Sequence, residues 1–170
     1  MLQPVVRRTW APQGQTPVHY SWDRHDRLSV VSAISISPKR RRLGVYFDII
    51  RHKIRTDDFE RFVAWLVQRL PQGIILVMDR WQVHRAAARR LCRRFPRRLR
   101  IEWLPSCAPE LNPVEQIWTH TAYADLANYI PDNVRALEYE MGRSLHEPGR
   151  QPSVLRWFVH HTGLTPWQRY

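Results

Sequence analysis

Residues 73–105 read GIILVMDRWQVHRAAARRLCRRFPRRLRIEWLP. The segment opens on a short continuous apolar run, IILVM, closed by Asp79. Without polar alternation, such a run suits a central strand, paired with a parallel neighbour and covered on both faces. A helix is predicted from about His84 to Phe95, and RIEWLP then reads as a second strand. Parallel strands need a crossover of about this length, so the unit points to an α/β architecture. An aspartate ending such a strand stands at the sheet edge where α/β folds handle ligands. The plain alternative is an aspartate that caps a turn.

Working outward, LSVVSAISIS from Leu28 is a β-branched strand, PKRRR a charged turn, and LGVYFDII a second, antiparallel strand. After the loop RHKIRTDD, Asp57 or Asp58 can cap a helix running to about Leu70. Phe59, Phe62, Val63, Leu66 and Leu70 share one face of it, and Pro71 and Gly73 end it. Further helices are predicted at 132–147 and near 153–161. The element order predicts a mixed sheet flanked by helices.

Between these lies WLPSCAPELNPVEQIW, residues 103–118. Pro105, Pro109 and Pro113 stiffen the approach to Glu115. Asn112, Pro113 and Glu115 stand at the N-cap, N1 and N3 positions of a helix, so Glu115 can be read as a capping-box acid. That role does not explain the rigid lead-in. If IILVM and IEWL are neighbours in the sheet, Asp79 and Glu115 emerge at one edge. Converging carboxylates make a hard, oxygen-only site for Mg²⁺ or Mn²⁺, able to act on a phosphodiester.

The chain has 170 residues, enough for one domain with a true core, and its 44% hydrophobic content argues against disorder. No apolar run approaches the roughly 20 residues that span a bilayer. No signal peptide is indicated, and no membrane partner is expected. Cys92 and Cys107 lack zinc-ligand spacing, so a reduced, cytoplasmic protein is expected. The net charge of +12 favours a polyanionic partner. The basic residues are nearly all Arg, a bias that genome composition can also produce.

MDRWQVHRA followed by WLPSCAPELNPVEQIW resembles the catalytic core of bacterial insertion-sequence transposases of the mariner superfamily. The family pattern is an Asp closing a strand, a His five residues on, then Pro-x-x-(Ala/Ser)-Pro-x-Leu-Asn-Pro-x-Glu-x-x-Trp. Asp79, His84, Pro105, Pro109, Leu111, Asn112, Pro113, Glu115 and Trp118 match it. RTWAPQGQTP and AISISPKRRRLGVYF resemble the same family's first strands. The likeness covers about residues 4–130, leaving 131–170 as C-terminal helices of one partial catalytic domain.

The resemblance implies an RNase H-like fold and places Asp79 and Glu115 as the second and third acids of a DDE triad, holding Mg²⁺ or Mn²⁺. His84 is expected to pack or to serve a polar role at a helix start, with a catalytic role as the alternative. Trp81 and Trp118 are expected in the core, with base stacking as an alternative for Trp81 and DNA contact for Trp118. In such transposases the first Asp lies on an opening strand, expected upstream of Met1, and Asp23, Asp26 and Asp48 are poor substitutes. The strand at 28–37 then loses a ladder partner. The chain alone is expected to be inactive or nearly so.

DNA is the expected partner, as transposon ends and target, with a second copy or an N-terminal transposase fragment as protein partner. Lys39, Arg40, Arg41, Arg89, Arg90, Arg93, Arg94 and Arg97 are the candidate phosphate contacts. A solvated, arginine-rich surface is the alternative for all eight. The rival function is a non-enzymatic DNA-binding or transposase-interacting regulator.

Overall fold

The computed structural model describes residues 10–15, 28–39 and 42–163. In chain order they form β1 (Ser29–Ile36), β2 (Leu43–Ile50), α1 (Thr56–Arg69), β3 (Ile74–Met78), α2 (Gln82–Arg94) and β4 (Leu99–Trp103). A 3₁₀ turn (Pro109–Leu111), α3 (Val114–His120), a π-helical turn (Thr121–Asp125), α4 (Val134–Arg150) and α5 (Pro152–His161) follow. The α/β class read from the sequence is what the described residues show.

β1 and β2 pair antiparallel with Ala33 opposite Tyr46, as their alternation predicts. Period-two alternation then sorts their side chains to two faces. Val31, Ala33, Tyr46 and Ile50 face one core together with α1 and α2. Val30, Ile34, Val45, Phe47 and Ile49 face a second core with Ile117, Met141, Leu145, Leu155 and Phe158 from α3, α4 and α5. Side chains such as Val63, Leu91 and Leu145 are wholly buried, each stabilising the fold by about 1.5–3 kcal/mol.

β3 and β4 run parallel, Ile74 opposite Leu99 and Met78 opposite Trp103, under the α1–α2 layer. Two expectations need correction here. The strands form two separate two-stranded sheets among the described residues, β1–β2 and β3–β4, with no ladder joining β1 to β3. Nor is β3 covered on both faces: Ile75 and Val77 are 65% and 53% exposed, beside the Arg100–Glu102 pair on β4. The α4–α5 layer that could cover this face packs on β2 instead.

Local chemistry accounts for the helix ends. Asp58 caps α1 from inside the first turn, accepting the Arg55 backbone N–H at 2.9 Å. The Arg98 guanidinium reaches across to the last turn of α1 and donates to the Val67 and Leu70 carbonyls, each at 2.6 Å. Asn133 caps α4 by accepting from the Ala136 N–H. No described helix is long and apolar enough to cross a membrane.

Candidate active site

The parallel pairing decides where Asp79 stands. β3 ends at Met78 and β4 at Trp103, opposite each other, and the Leu104 N–H donates to the Met78 carbonyl at 2.9 Å. Both chains therefore leave the sheet at one edge, with Asp79 following β3 directly and Pro105 opening the loop after β4. The Arg80 Nε, donating to the Leu104 carbonyl at 3.3 Å, ties the two exits together.

Asp79 is held firmly on one side. Its Oδ1 accepts the Trp81 backbone N–H at 2.8 Å and lies 2.7 Å from the His84 Nδ1. Its side chain is 47% exposed and that of His84 is 16% exposed. The cap-like bond to Trp81 explains the turn into α2, which starts at Gln82 although no Ser, Thr or Asn precedes it. Among the described residues nothing hydrogen-bonds to Oδ2.

Glu115 arrives by the other exit. Leu104 is buried, Ser106 and Cys107 form a turn, and the 3₁₀ turn at Pro109–Leu111 delivers the chain to α3. Asn112 accepts the Val114 N–H on Oδ1 at 3.2 Å, while its own N–H goes to the Pro109 carbonyl at 2.9 Å. The expected capping box is thus absent, and Glu115 sits in the first turn of α3 without that role. Burial first, and the negative charge of Asp79 second, raise the Glu115 carboxyl above its ordinary value. Two acids distant in the chain therefore feel each other at one sheet edge.

The donor set, two carboxylates with one Asp79 oxygen uncommitted among the described residues, fits a hard divalent cation, which would relieve their mutual repulsion. No group of three or more His, Cys, Asp or Glu suited to a metal forms among the described residues. Asp48 lies within β2, opposite Val31. Asp23 and Asp26 lie outside the described residues.

The predicted basic contacts separate. Arg90 forms ion pairs with Asp57 and Glu60 of α1, both at 3.2 Å. The Arg93 Nε donates to the Arg89 carbonyl, and Arg94 lies over the Phe95 ring. Lys39, Arg89 and Arg97 are exposed, while Arg40 and Arg41 lie outside the described residues. Sequence reading missed Arg80 and Arg85, which with Arg89, Ile101 and Trp103 line an open groove beside α2. Their positions one residue past Asp79 and one turn before Arg89 were the available signal. Trp81, expected in the core, is 42% exposed, whereas Trp118 packs against the second core.

The profile of one protein family, described as DDE superfamily endonuclease, matches residues 1–138. The fold is similar to a chain in the crystal structure of the Mos1 Strand Transfer Complex, with a TM-score of 0.53 and 14% identity. That likeness covers 96% of this chain and 52% of the other, so the chain spans about half the length of that relative. No curated protein matches.

Proposed function

Because the chain belongs to the DDE superfamily endonucleases, we propose that it supplies part of the active site of a transposase, an enzyme of metal-dependent DNA cleavage and strand transfer. The observation that carries this reading is the parallel pairing of β3 and β4, which brings Asp79 and the loop leading to Glu115 out at one sheet edge, where burial and the charge of Asp79 raise the Glu115 carboxyl. We read the fold as RNase H-like and the 170 residues as one catalytic domain, about 4–130 forming its core and 131–170 its C-terminal helices.

Asp79 and Glu115 would hold Mg²⁺ or Mn²⁺. Such ions supply charge stabilisation at a phosphodiester and an activated water or 3′-hydroxyl. The chain's own contribution is positional. The Trp81 N–H and His84 fix Asp79, and the proline-rich loop fixes the start of α3 and so Glu115. DNA would lie along the groove of Arg80, Arg85 and Arg89, with Lys39, Arg93, Arg94 and Arg97 as further phosphate contacts. Arg40 and Arg41, outside the described residues, are proposed as DNA contacts from the sequence alone. A second copy or a separate transposase segment would be the protein partner.

In-line transfer between two ions calls for a further acid beside the pair. Among the described residues no third acid joins the pair, so the isolated chain is expected to bind a divalent ion and DNA while turning DNA over slowly or not at all. The two-acid site also favours a second reading, a DNA-binding regulator without turnover. Strand-cleavage and DNA-affinity assays on Asp79→Asn and Glu115→Gln separate the two. For an enzyme, each variant loses at least about a hundredfold in cleavage and keeps its DNA affinity. Cleavage that persists unchanged in both variants would rule out the proposed site, and no cleavage by any form together with no Mn²⁺ binding, DNA affinity being intact, selects the regulator.

A further inference from the structure

Two nitrogens converge on a single oxygen of Asp79: the Trp81 backbone N–H at 2.8 Å and the His84 Nδ1 at 2.7 Å. An ionised carboxylate only accepts, so Nδ1 carries the hydrogen in this contact. The imidazole is held by its surroundings as well. Its ring centroid lies 4.3 Å from that of Phe59, in the first turn of α1, and 5.2 Å from that of Trp81, which meets it edge-on.

We propose that His84 is a positioning residue: its Nδ1–H and the Trp81 N–H occupy Oδ1 of Asp79, leaving Oδ2 as the atom that takes a divalent cation. This rests on the metal reading of Asp79 and Glu115. With Oδ1 filled by two donors, the carboxylate keeps one rotamer, and the unfilled oxygen is the one open to a ligand. Partners that orient a metal-binding side chain typically contribute about 10- to 100-fold to metal affinity. A histidine present only for packing predicts something different, because a ring of similar shape without a donor would then serve equally well.

Two substitutions separate these roles. His84→Phe keeps an aromatic plate between Phe59 and Trp81 and removes the donor. His84→Asn keeps a donor near the Nδ1 position and removes most of the plate. Mn²⁺ binding to the full chain, followed by the electron paramagnetic resonance of the free ion, is the readout, with Asp79→Asn as reference. The expected result is that His84→Phe binds Mn²⁺ about tenfold more weakly or worse, while His84→Asn stays near wild type. Wild-type affinity in His84→Phe, with Asp79→Asn impaired, overturns the inference alone. Unchanged affinity in Asp79→Asn overturns the metal reading and the inference with it. Should His84→Phe fail to fold, the ring nitrogens of the wild-type protein decide. Their ¹⁵N spectrum, assigned by the signal lost in His84→Asn, must show hydrogen on Nδ1, and a ring carrying it on Nε2 alone overturns the proposal.

Discussion

Asn112 gives its backbone N–H to the carbonyl of Pro109, 2.9 Å away, and so has none to offer the carboxylate of Glu115. The residue that sequence position marks as a helix cap is instead a half-buried acid under the field of Asp79. An acid in that state weighs against folding, and the first prediction follows from its sign.

The Glu115 carboxyl titrates above its ordinary value of 4.5 in the folded chain, through burial and then the charge of Asp79. The folded state therefore holds this proton more tightly than the unfolded state. Its contribution to stability is complete below the ordinary value and is lost as pH rises through the raised one. Glu115→Gln removes that loss, so its melting temperature should exceed wild type at neutral pH, the gap closing as pH falls toward 4.5. Mg²⁺ should raise the wild-type melting temperature and leave the variant's unchanged. Thermal melts at several pH values, with and without Mg²⁺, test this; a variant less stable than wild type at neutral pH contradicts it.

Asp58 behaves oppositely. Burial alone would raise its carboxyl, but the Arg55 N–H, the Arg61 side chain and the charges of His52 and Arg61 outweigh burial and lower it below 3.8. Its stabilisation is present above that value and is withdrawn as pH falls through the lower, folded one. Asp58→Asn should cost about 1–3 kcal/mol at neutral pH, since the first turn of α1 loses its charged cap. In urea titrations the two proteins should converge below the ordinary carboxyl range. A constant gap down to acid pH would assign the loss to packing.

Neighbouring arginines should divide between stability and DNA. Arg98 holds the last carbonyls of α1 and Arg90 bridges to Asp57 and Glu60. Arg98→Ala should destabilise by about 1–3 kcal/mol, because two carbonyls lose a charged donor. Arg90→Ala should cost at most about 1 kcal/mol, because its pairs are exposed. Arg85→Ala and Arg89→Ala should leave stability unchanged and weaken DNA binding. Each should reduce the slope of log affinity against log salt by about 1. Equal DNA slopes in all four variants would remove the groove as a binding surface.

The division between what the sequence discloses and what it conceals has physical reasons. LGVYFDII alternates and is bounded by turn residues, so β2 is legible from end to end. The predicted start of α2 falls two residues late because Trp81, at the N-cap, carries no capping side chain. The run IILVM looks alike whether one face or two are covered, so the exposure of Ile75 and Val77 depends on where α4 and α5 settle. The break between the two sheets is a matter of long-range ladders that no local pattern reports. At the site, strand order makes the approach of Asp79 and Glu115 foreseeable. The fate of Arg90 is not, because it depends on how α1 crosses α2.

Cys107 links the stiff loop to its outcome. It adopts φ 57° in the turn after Pro105, a left-handed conformation that glycine and asparagine tolerate and other residues resist. The conformation costs roughly 1–2 kcal/mol for an ordinary L-residue, and the turn needs it to direct the chain into the 3₁₀ segment and α3. The exposed thiol contributes little to offset that cost. Cys107→Asn should therefore stabilise the chain by about 0.5–1 kcal/mol, whereas Cys107→Val, β-branched, should destabilise it by about 1 kcal/mol or more. The same order should appear in Mn²⁺ affinity, because a turn forced out of this conformation displaces Glu115 from Asp79. If valine leaves both stability and Mn²⁺ affinity unchanged, the loop does not set the position of Glu115, and the three prolines around it require another explanation.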